Sequence, residues 1–156
     1  MHKYIKIYAP VDGLVKDVTE LSDPVFAQKM VGDGVSITPT SKTIYAPCDG
    51  VLKQIFKTNH AFIIQLNNQD ALLVHLGIDT IDLEGKGFKR LYKGALDVPI
   101  KKGEPLIEMD IDYIKSHKKP TDVIMVITDT QQPIKMKKKL NKKVHSGKCV
   151  YKYYQA

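Results

Sequence analysis

The chain predicts an all-β fold: an antiparallel sandwich or barrel with one or two short helices. Three observations carry this. Ten short runs alternate apolar and polar residues with period two: 4–9, 14–18, 35–38, 43–46, 51–56, 61–66, 72–76, 106–109, 123–127 and 149–153. Gly, Pro, Asp and Asn bound these runs, which is turn chemistry. A pentapeptide also recurs 37 positions on, Ala9-Pro10-Val11-Asp12-Gly13 and Ala46-Pro47-Cys48-Asp49-Gly50.

Each element has its own reason. The two pentapeptides feed the runs at 14–18 and 51–56, and Asp-Gly after Pro predicts a tight turn in which glycine supplies positive φ. Two matched copies predict a duplicated β-unit. Residues 24–30 predict one or two helical turns, with Asp23 as N-cap and Pro24 at the first helical position. Runs 61–66 and 72–76 predict a hairpin around Asn67-Asn68-Gln69-Asp70. The stretch from Gly94 to Lys101-Lys102-Gly103 predicts a further turn, and 111–117 a weak helix. No Gly/Ser-rich or Pro-rich linker divides the chain, so residues 1–156 read as one domain.

Composition excludes several classes. With 43% hydrophobic and 26% charged residues, the chain is neither disordered throughout nor collagen-like. No apolar stretch approaches the ~18–20 residues a membrane span needs. Met1–Lys6 has no apolar segment of a secretory signal. Cys48 and Cys149 stand far apart without a CxxC, which excludes a zinc ribbon or disulfide framework and predicts a reducing, cytoplasmic setting. The net charge of +7 is local: residues 113–156 hold 11 lysines against Asp122 and Asp129, so the body is nearly neutral. Arg90 is the only arginine, and bidentate phosphate and base readout favours arginine. The lysine run Lys135, Lys137–Lys139, Lys142 and Lys143 therefore reads as a solvated face, with no nucleic acid expected.

Five histidines are candidates for chemistry. His2, His117 and His145 lie in polar or terminal segments and read as exposed. His60 precedes the first strand of the predicted hairpin and His75 ends the second. Counting outward from Asn68 brings them nearly opposite across the ladder, on one face. Two neutral imidazoles could serve as phosphoryl acceptor and oxygen stabiliser. They could also be two satisfied structural histidines. A zinc site normally wants three or four protein ligands, and this pair offers two.

At these residues the sequence resembles the glucose-type enzyme IIA domain of the bacterial phosphoenolpyruvate-dependent sugar phosphotransferase system. The carrying segments are Ala9–Gly13, Asp23-Pro24-Val25-Phe26-Ala27-Gln28-Lys29-Met30-Val31-Gly32-Asp33-Gly34, Tyr45–Gly50, Thr58-Asn59-His60-Ala61-Phe62, Leu72-Leu73-Val74-His75-Leu76-Gly77-Ile78-Asp79-Thr80 and Gly85-Lys86-Gly87-Phe88. Their order and spacing are specific, over nearly the whole chain. The resemblance implies a β-sandwich of duplicated hybrid motifs, and a phosphocarrier that takes a phosphoryl group from the phosphocarrier HPr and passes it to a cysteine on a IIB domain. It implies His75 as acceptor through Nε2, His60 as stabiliser of the phosphoryl oxygens, Thr58 as the residue orienting His60, and the Gly77 carbonyl as partner of His75 Nδ1. Asp23 and Asp79 would form a rim for a basic HPr surface, and Val25, Phe26, Met30, Val31, Phe56 and Leu73 an apolar docking collar. No cofactor is required, although the family can bind zinc between the two histidines at a partner interface. Contact with the membrane would come only through the permease. Leu73 and Leu76 depart from the family pattern, standing where many relatives carry phenylalanine, and the C-terminal third is basic where enterobacterial relatives are acidic.

Other readings fail on residues. A lysostaphin-like zinc peptidase needs His-x-His, and Leu73 stands two before His75. A biotinyl or lipoyl carrier needs its lysine in a hairpin turn, whereas Lys137 follows Met136 inside a lysine run.

Overall fold

The computed structural model describes residues 3–156; His2 lies outside them. The chain runs β1 (Ile5–Tyr8), β2 (Gly13–Asp17), a 3-10 turn (Val18–Glu20), α1 (Pro24–Ala27), β3 (Asp33–Pro39), β4 (Thr43–Tyr45), β5 (Gly50–Ile55), β6 (Ala61–Gln65) and β7 (Ala71–Leu76). It continues with a second 3-10 turn (Thr80–Leu83), β8 (Phe88–Arg90), β9 (Val98–Ile100), β10 (Pro105–Met109), α2 (Ile111–Ser116), β11 (Val123–Thr128), β12 (Ile134–Lys138), β13 (Lys143–Val144) and β14 (Cys149–Gln155). The fold is the expected antiparallel β-sandwich with two short helices. An eight-stranded sheet, β13-β2-β3-β11-β7-β6-β5-β9, faces two three-stranded ones, β1-β14-β12 and β4-β10-β8.

All ten predicted strands form, each within two residues of its predicted ends. Four others, β8, β9, β12 and β13, escaped the pattern reading. β13 has two residues, too few to show a period, and β8, Phe88-Lys89-Arg90, holds a single apolar residue. β9 carries Pro99, which a strand tolerates at a sheet edge, and among the described residues its only ladder is to β5. It occupies part of the stretch read as a turn, leaving the turn proper at Lys101–Gly103. In β12 the alternation was masked by lysines, and pairing with β14 makes the strand. The helix expected over 24–30 stops at Ala27, with Gln28 as C-cap and Lys29 left-handed at φ +58°. Its start is as expected: Pro24 opens it and the Asp23 carboxylate accepts the Val25 N–H at 2.8 Å.

The two pentapeptides cross each other. The Tyr8 N–H donates to the Pro47 carbonyl and the Tyr45 N–H to the Pro10 carbonyl. Each also clamps a distant Lys/Gly turn in the same way. Asp12 accepts the Ser146 N–H at 2.7 Å and Asp49 the Lys102 N–H at 2.8 Å. Ala9 exchanges backbone bonds with Gly147 and Lys148, and Ala46 with Gly103 and Glu104. The duplicated unit is thus real, but its glycines are not used as expected. Gly50 has no positive φ and Gly13 is nearly extended at +158°. They are needed for close approach: a Cβ would meet the Thr38 carbonyl oxygen at 2.1 Å from Gly13, and that of Gln65 at 2.5 Å from Gly50.

The large core lies between the sheets. β7 and β11 send Leu72, Val74, Leu76, Val123, Met125 and Ile127 into it, against Tyr151 and Tyr153 of β14. The intervening residues point to the other side of the large sheet. There Ile124 and Val126 meet Val18, Leu21, Phe26 and Ile78 in a second, smaller apolar cluster, with Val31 and Leu73 packed on it. The segment from β2 to β3 is its cover. This small cluster positions the site.

One lysine of the basic run is structural. Lys138 points inward and its Nζ lies 2.7 Å from an Asp17 oxygen and 2.6 Å from one of Asp33, tying β12 to β2 and β3. Its side chain is 11% exposed. Burial raises the Asp17 pKa, but the Lys138 hydrogen bond and charge, helped by a Thr19 hydrogen bond and the Lys29 charge, together hold that carboxyl below its ordinary value. Replacing Lys138 with Met leaves two carboxylates facing each other and should cost about 2–3 kcal/mol, or roughly 4–12 °C in Tm. Lys137→Met, on the exposed face of the same strand, should change stability by less than about 0.5 kcal/mol. Urea melts of both variants check this, and equal costs would remove the structural role of Lys138.

Candidate functional site

His75 is on the outer face of β7 because β7 alternates: Leu72, Val74 and Leu76 go to the main core, Leu73 and His75 to the small cluster. Its ladder partners are Ala61 on β6 and Ile124 on β11. The hairpin therefore has Ala61, not His60, opposite His75. His60 faces Leu76, whose N–H donates to the His60 carbonyl at 2.7 Å. In a regular ladder that one-residue offset would put the two imidazoles on opposite faces. They still meet, for a reason the residue count did not contain. His60 stands outside β6, after a turn closed by the Asn59 N–H on the Phe56 carbonyl, with Asn59 left-handed at φ +59°. The bend breaks the pleat, and the rings lie with centroids 5.2 Å apart and planes at 79°.

Each imidazole is held by its Nδ1. His75 Nδ1 lies 2.8 Å from the Gly77 carbonyl oxygen. A carbonyl only accepts, so Nδ1 carries the proton and the neutral ring presents an unprotonated Nε2. Gly77 can turn its carbonyl back because it sits at φ +80°, and a Cβ there would strike Thr80 Cγ2 at 2.5 Å and the Pro120 carbonyl oxygen at 2.8 Å. The loop is anchored by the Gly77 N–H on the Asp122 carbonyl and by the Thr80 hydroxyl on the Leu76 carbonyl. His60 Nδ1 is hydrogen-bonded to the Thr58 hydroxyl. Donation from that hydroxyl leaves Nε2–H of His60 as a donor.

The surroundings are apolar on one side and acidic on the other. The Phe26 ring lies 5.2 Å from His75 and the Phe56 ring 5.4 Å from His60. His60 is only 4% exposed and His75 is half-buried. Burial pushes both pKa values below the ordinary 6.5; the neighbouring His75 pushes His60 further, while the Gly77 carbonyl and then Asp23 and Asp79 partly restore His75.

The structure thus gathers His60, His75, Thr58, Gly77, Phe26 and Phe56 by direct contact, and Asp23 and Asp79 through their charge. The apolar collar divides. Phe26 is buried, with Val31 and Leu73 packed on the same cluster, whereas Val25 and Met30 are 45% and 70% exposed. Two residues were missed. Ile81, 57% exposed in the 3-10 turn after Asp79, adds an apolar surface residue beside the acidic rim. Its signal was an isoleucine between two turn acids, Asp79 and Asp82. Arg90 Nε donates to the Asn59 side-chain carbonyl at 3.0 Å, bracing the bend before His60. Being the only arginine was its signal. His117 and His145 are exposed, as expected.

Among the described residues no group of three or more His, Cys, Asp or Glu side chains is arranged for a metal ion. No helix among them is long and apolar enough to cross a membrane.

A family profile described as phosphoenolpyruvate-dependent sugar phosphotransferase system, EIIA 1, matches residues 5–133. The PTS system glucose-specific EIIA component of Borreliella burgdorferi is 40% identical over 128 residues, 82% of this chain and 67% of that one. The PTS system glucose-specific EIICBA component of Staphylococcus carnosus is 42% identical over 123 residues, 79% of this chain and 18% of that longer one. The solved glucose permease IIA from Mycoplasma capricolum superposes with a TM-score of 0.85 at 31% identity, covering 96% of both chains. The chain belongs to the EIIA 1 family of the phosphoenolpyruvate-dependent sugar phosphotransferase system.

Proposed function

We propose that the chain is a cytoplasmic, one-domain phosphocarrier that accepts a phosphoryl group on His75 Nε2 from phospho-HPr and passes it to a cysteine of a permease IIB domain. The observation that carries this is the His75 Nδ1 to Gly77 carbonyl hydrogen bond, with the second imidazole beside the freed Nε2. The Nε2 lone pair forms the new P–N bond as the bond between phosphorus and the donor nitrogen breaks, and the donor keeps that electron pair. In the onward step a thiolate forms a P–S bond, and the P–N electrons return to Nε2. Nothing is oxidised or reduced.

The charge of the passing group sits on its oxygens, so positioned donors are what the protein supplies. His60 Nε2–H is such a donor, with Thr58 holding its ring. Phe26 and Phe56 limit water around the reacting nitrogen. Asp23 and Asp79 face a basic HPr surface, and the exposed Val25, Met30 and Ile81 give both partners an apolar contact. Val31, Leu73, Phe26 and Phe56 back that contact from below. No resident cofactor enters these steps. His60 and His75 alone do not make a complete zinc site, so zinc at a partner interface would need the partner's ligands.

Intact mass after incubation with phosphoenolpyruvate, enzyme I and HPr should rise by one acid-labile, base-stable phosphoryl group, and His75→Gln should abolish the gain. Labelling retained on another residue would overturn the assignment. His60→Gln should fold normally and still be phosphorylated, while transfer to IIB falls by about 10²-fold; unchanged transfer would make His60 structural only.

The depressed imidazole pKa values also predict a pH dependence of stability. Between 6.5 and the lower folded values, the unfolded chain binds protons that the folded chain does not. The stability involved is complete above 6.5 and is lost as pH falls through the folded values. Denaturation midpoints from pH 7 to about 5 should fall more steeply for the native chain than for the His60→Gln/His75→Gln double variant; parallel curves would remove the buried-neutral assignment.

A further inference from the structure

The outer face of the β1-β14-β12 sheet is basic, and nothing in the phosphoryl-transfer reading uses it. Lys6 on β1 pairs in register with Lys152 on β14, and Lys152 with Lys137 on β12. Three ammonium groups therefore stand in line across one face. Lys135 shares that face, opposite Tyr154, and Tyr4 lies two residues before Lys6. Lys6, Lys135 and Lys137 are exposed. No Asp or Glu occurs on the three strands, and none of the four lysines makes an ion pair among the described residues. The inward residues of the same strands, Ile5, Ile7, Tyr151, Tyr153, Ile134 and Met136, are ordinary core. Lys138, also inward, has two carboxylates.

Like charges directly opposite across antiparallel strands are destabilising. The Tyr4 ring offsets part of this, with Lys152 Nζ 4.5 Å and Lys137 Nζ 5.4 Å from its centroid. The rest has no ion-pair partner among the described residues. We propose that this face docks on an anionic lipid bilayer. Charge complementarity defines the occupant as anionic, and three features select a bilayer. The charges are all lysine, point charges without the bidentate geometry that reads phosphates or bases in nucleic acid. They lie on one sheet face with tyrosines Tyr4 and Tyr154 at their level, and tyrosine favours a membrane–water interface. The face is also placed for it. Tyr151 and Tyr153 meet the inner face of the large sheet across the main core, and His75 is on that sheet's outer face. A bilayer against the basic face leaves His75 and its rim pointing away from the membrane.

The test is sedimentation of the full chain with vesicles of phosphatidylcholine alone and with about 30 mol% phosphatidylglycerol, at ~0.05 M and ~0.5 M salt. The chain should bind the anionic vesicles only, and release at high salt. Lys6→Gln/Lys137→Gln/Lys152→Gln should weaken binding by at least ~10-fold. Lys86→Gln/Lys101→Gln/Lys115→Gln removes the same charge from exposed positions elsewhere and should weaken it by less than about threefold. Phosphorylation by HPr should be equal in both variants, which shows that the face variant folds and separates this proposal from the phosphocarrier reading. No binding to anionic vesicles, or equal loss in the two triple variants, overturns it. Face-dependent retention of single-stranded DNA or polyglutamate with vesicles unbound would overturn it too, assigning the face to another anion.

Discussion

The two-residue period of β7 is the constraint on which the site depends. Because one strand faces two apolar clusters, Leu72, Val74 and Leu76 hold the sandwich together while Leu73 and His75 are delivered to its far side. That side is not left to solvent. Ile124, Val126 and Leu73 would expose a contiguous apolar patch, and the 3-10 turn and α1 cover it with Val18, Leu21 and Phe26. The cover stops at His75. The imidazole thus stands at the edge of a dry patch, with one ring nitrogen committed to the Gly77 carbonyl.

That position sets its electrostatics. Burial favours neutral imidazoles, and the proximity of the two rings reinforces it for His60. Asp23 and Asp79 pull the other way at His75, so the ring is neutral without being hard to charge. The same balance suits the role proposed for His75, since a phosphoryl acceptor must offer a lone pair before transfer and carry positive ring charge after it. Asp23 does this while capping α1, so one carboxylate both starts the cover helix and biases the site.

The crossed pentapeptides hold the other end of the logic. Each locks its own strand start, a distant Lys/Gly turn and the opposite repeat through backbone bonds. Side chains beyond these turns are then free to differ between halves. One half presents the histidines. β1, β12 and β14 carry the basic face, whose charge is concentrated by register, not by local sequence density alone.

Much of this was legible in the sequence. Period-two runs and turn residues determined ten of the strands, the capped α1 and the duplicated unit, because those signals are local. The residues around His60 and His75 pointed to the site, and their resemblance to a family assigned roles. Tertiary structure decided the rest. β8, β9, β13 and the lysine-rich β12 exist because a neighbour supplies the hydrogen bonds. The meeting of the two imidazoles depends on the left-handed Asn59 and on Arg90, 31 positions away, which no residue count contains. Lys137 and Lys138 show the division most plainly. They are adjacent and chemically identical in the sequence, yet the pleat turns one to solvent and the other between two carboxylates.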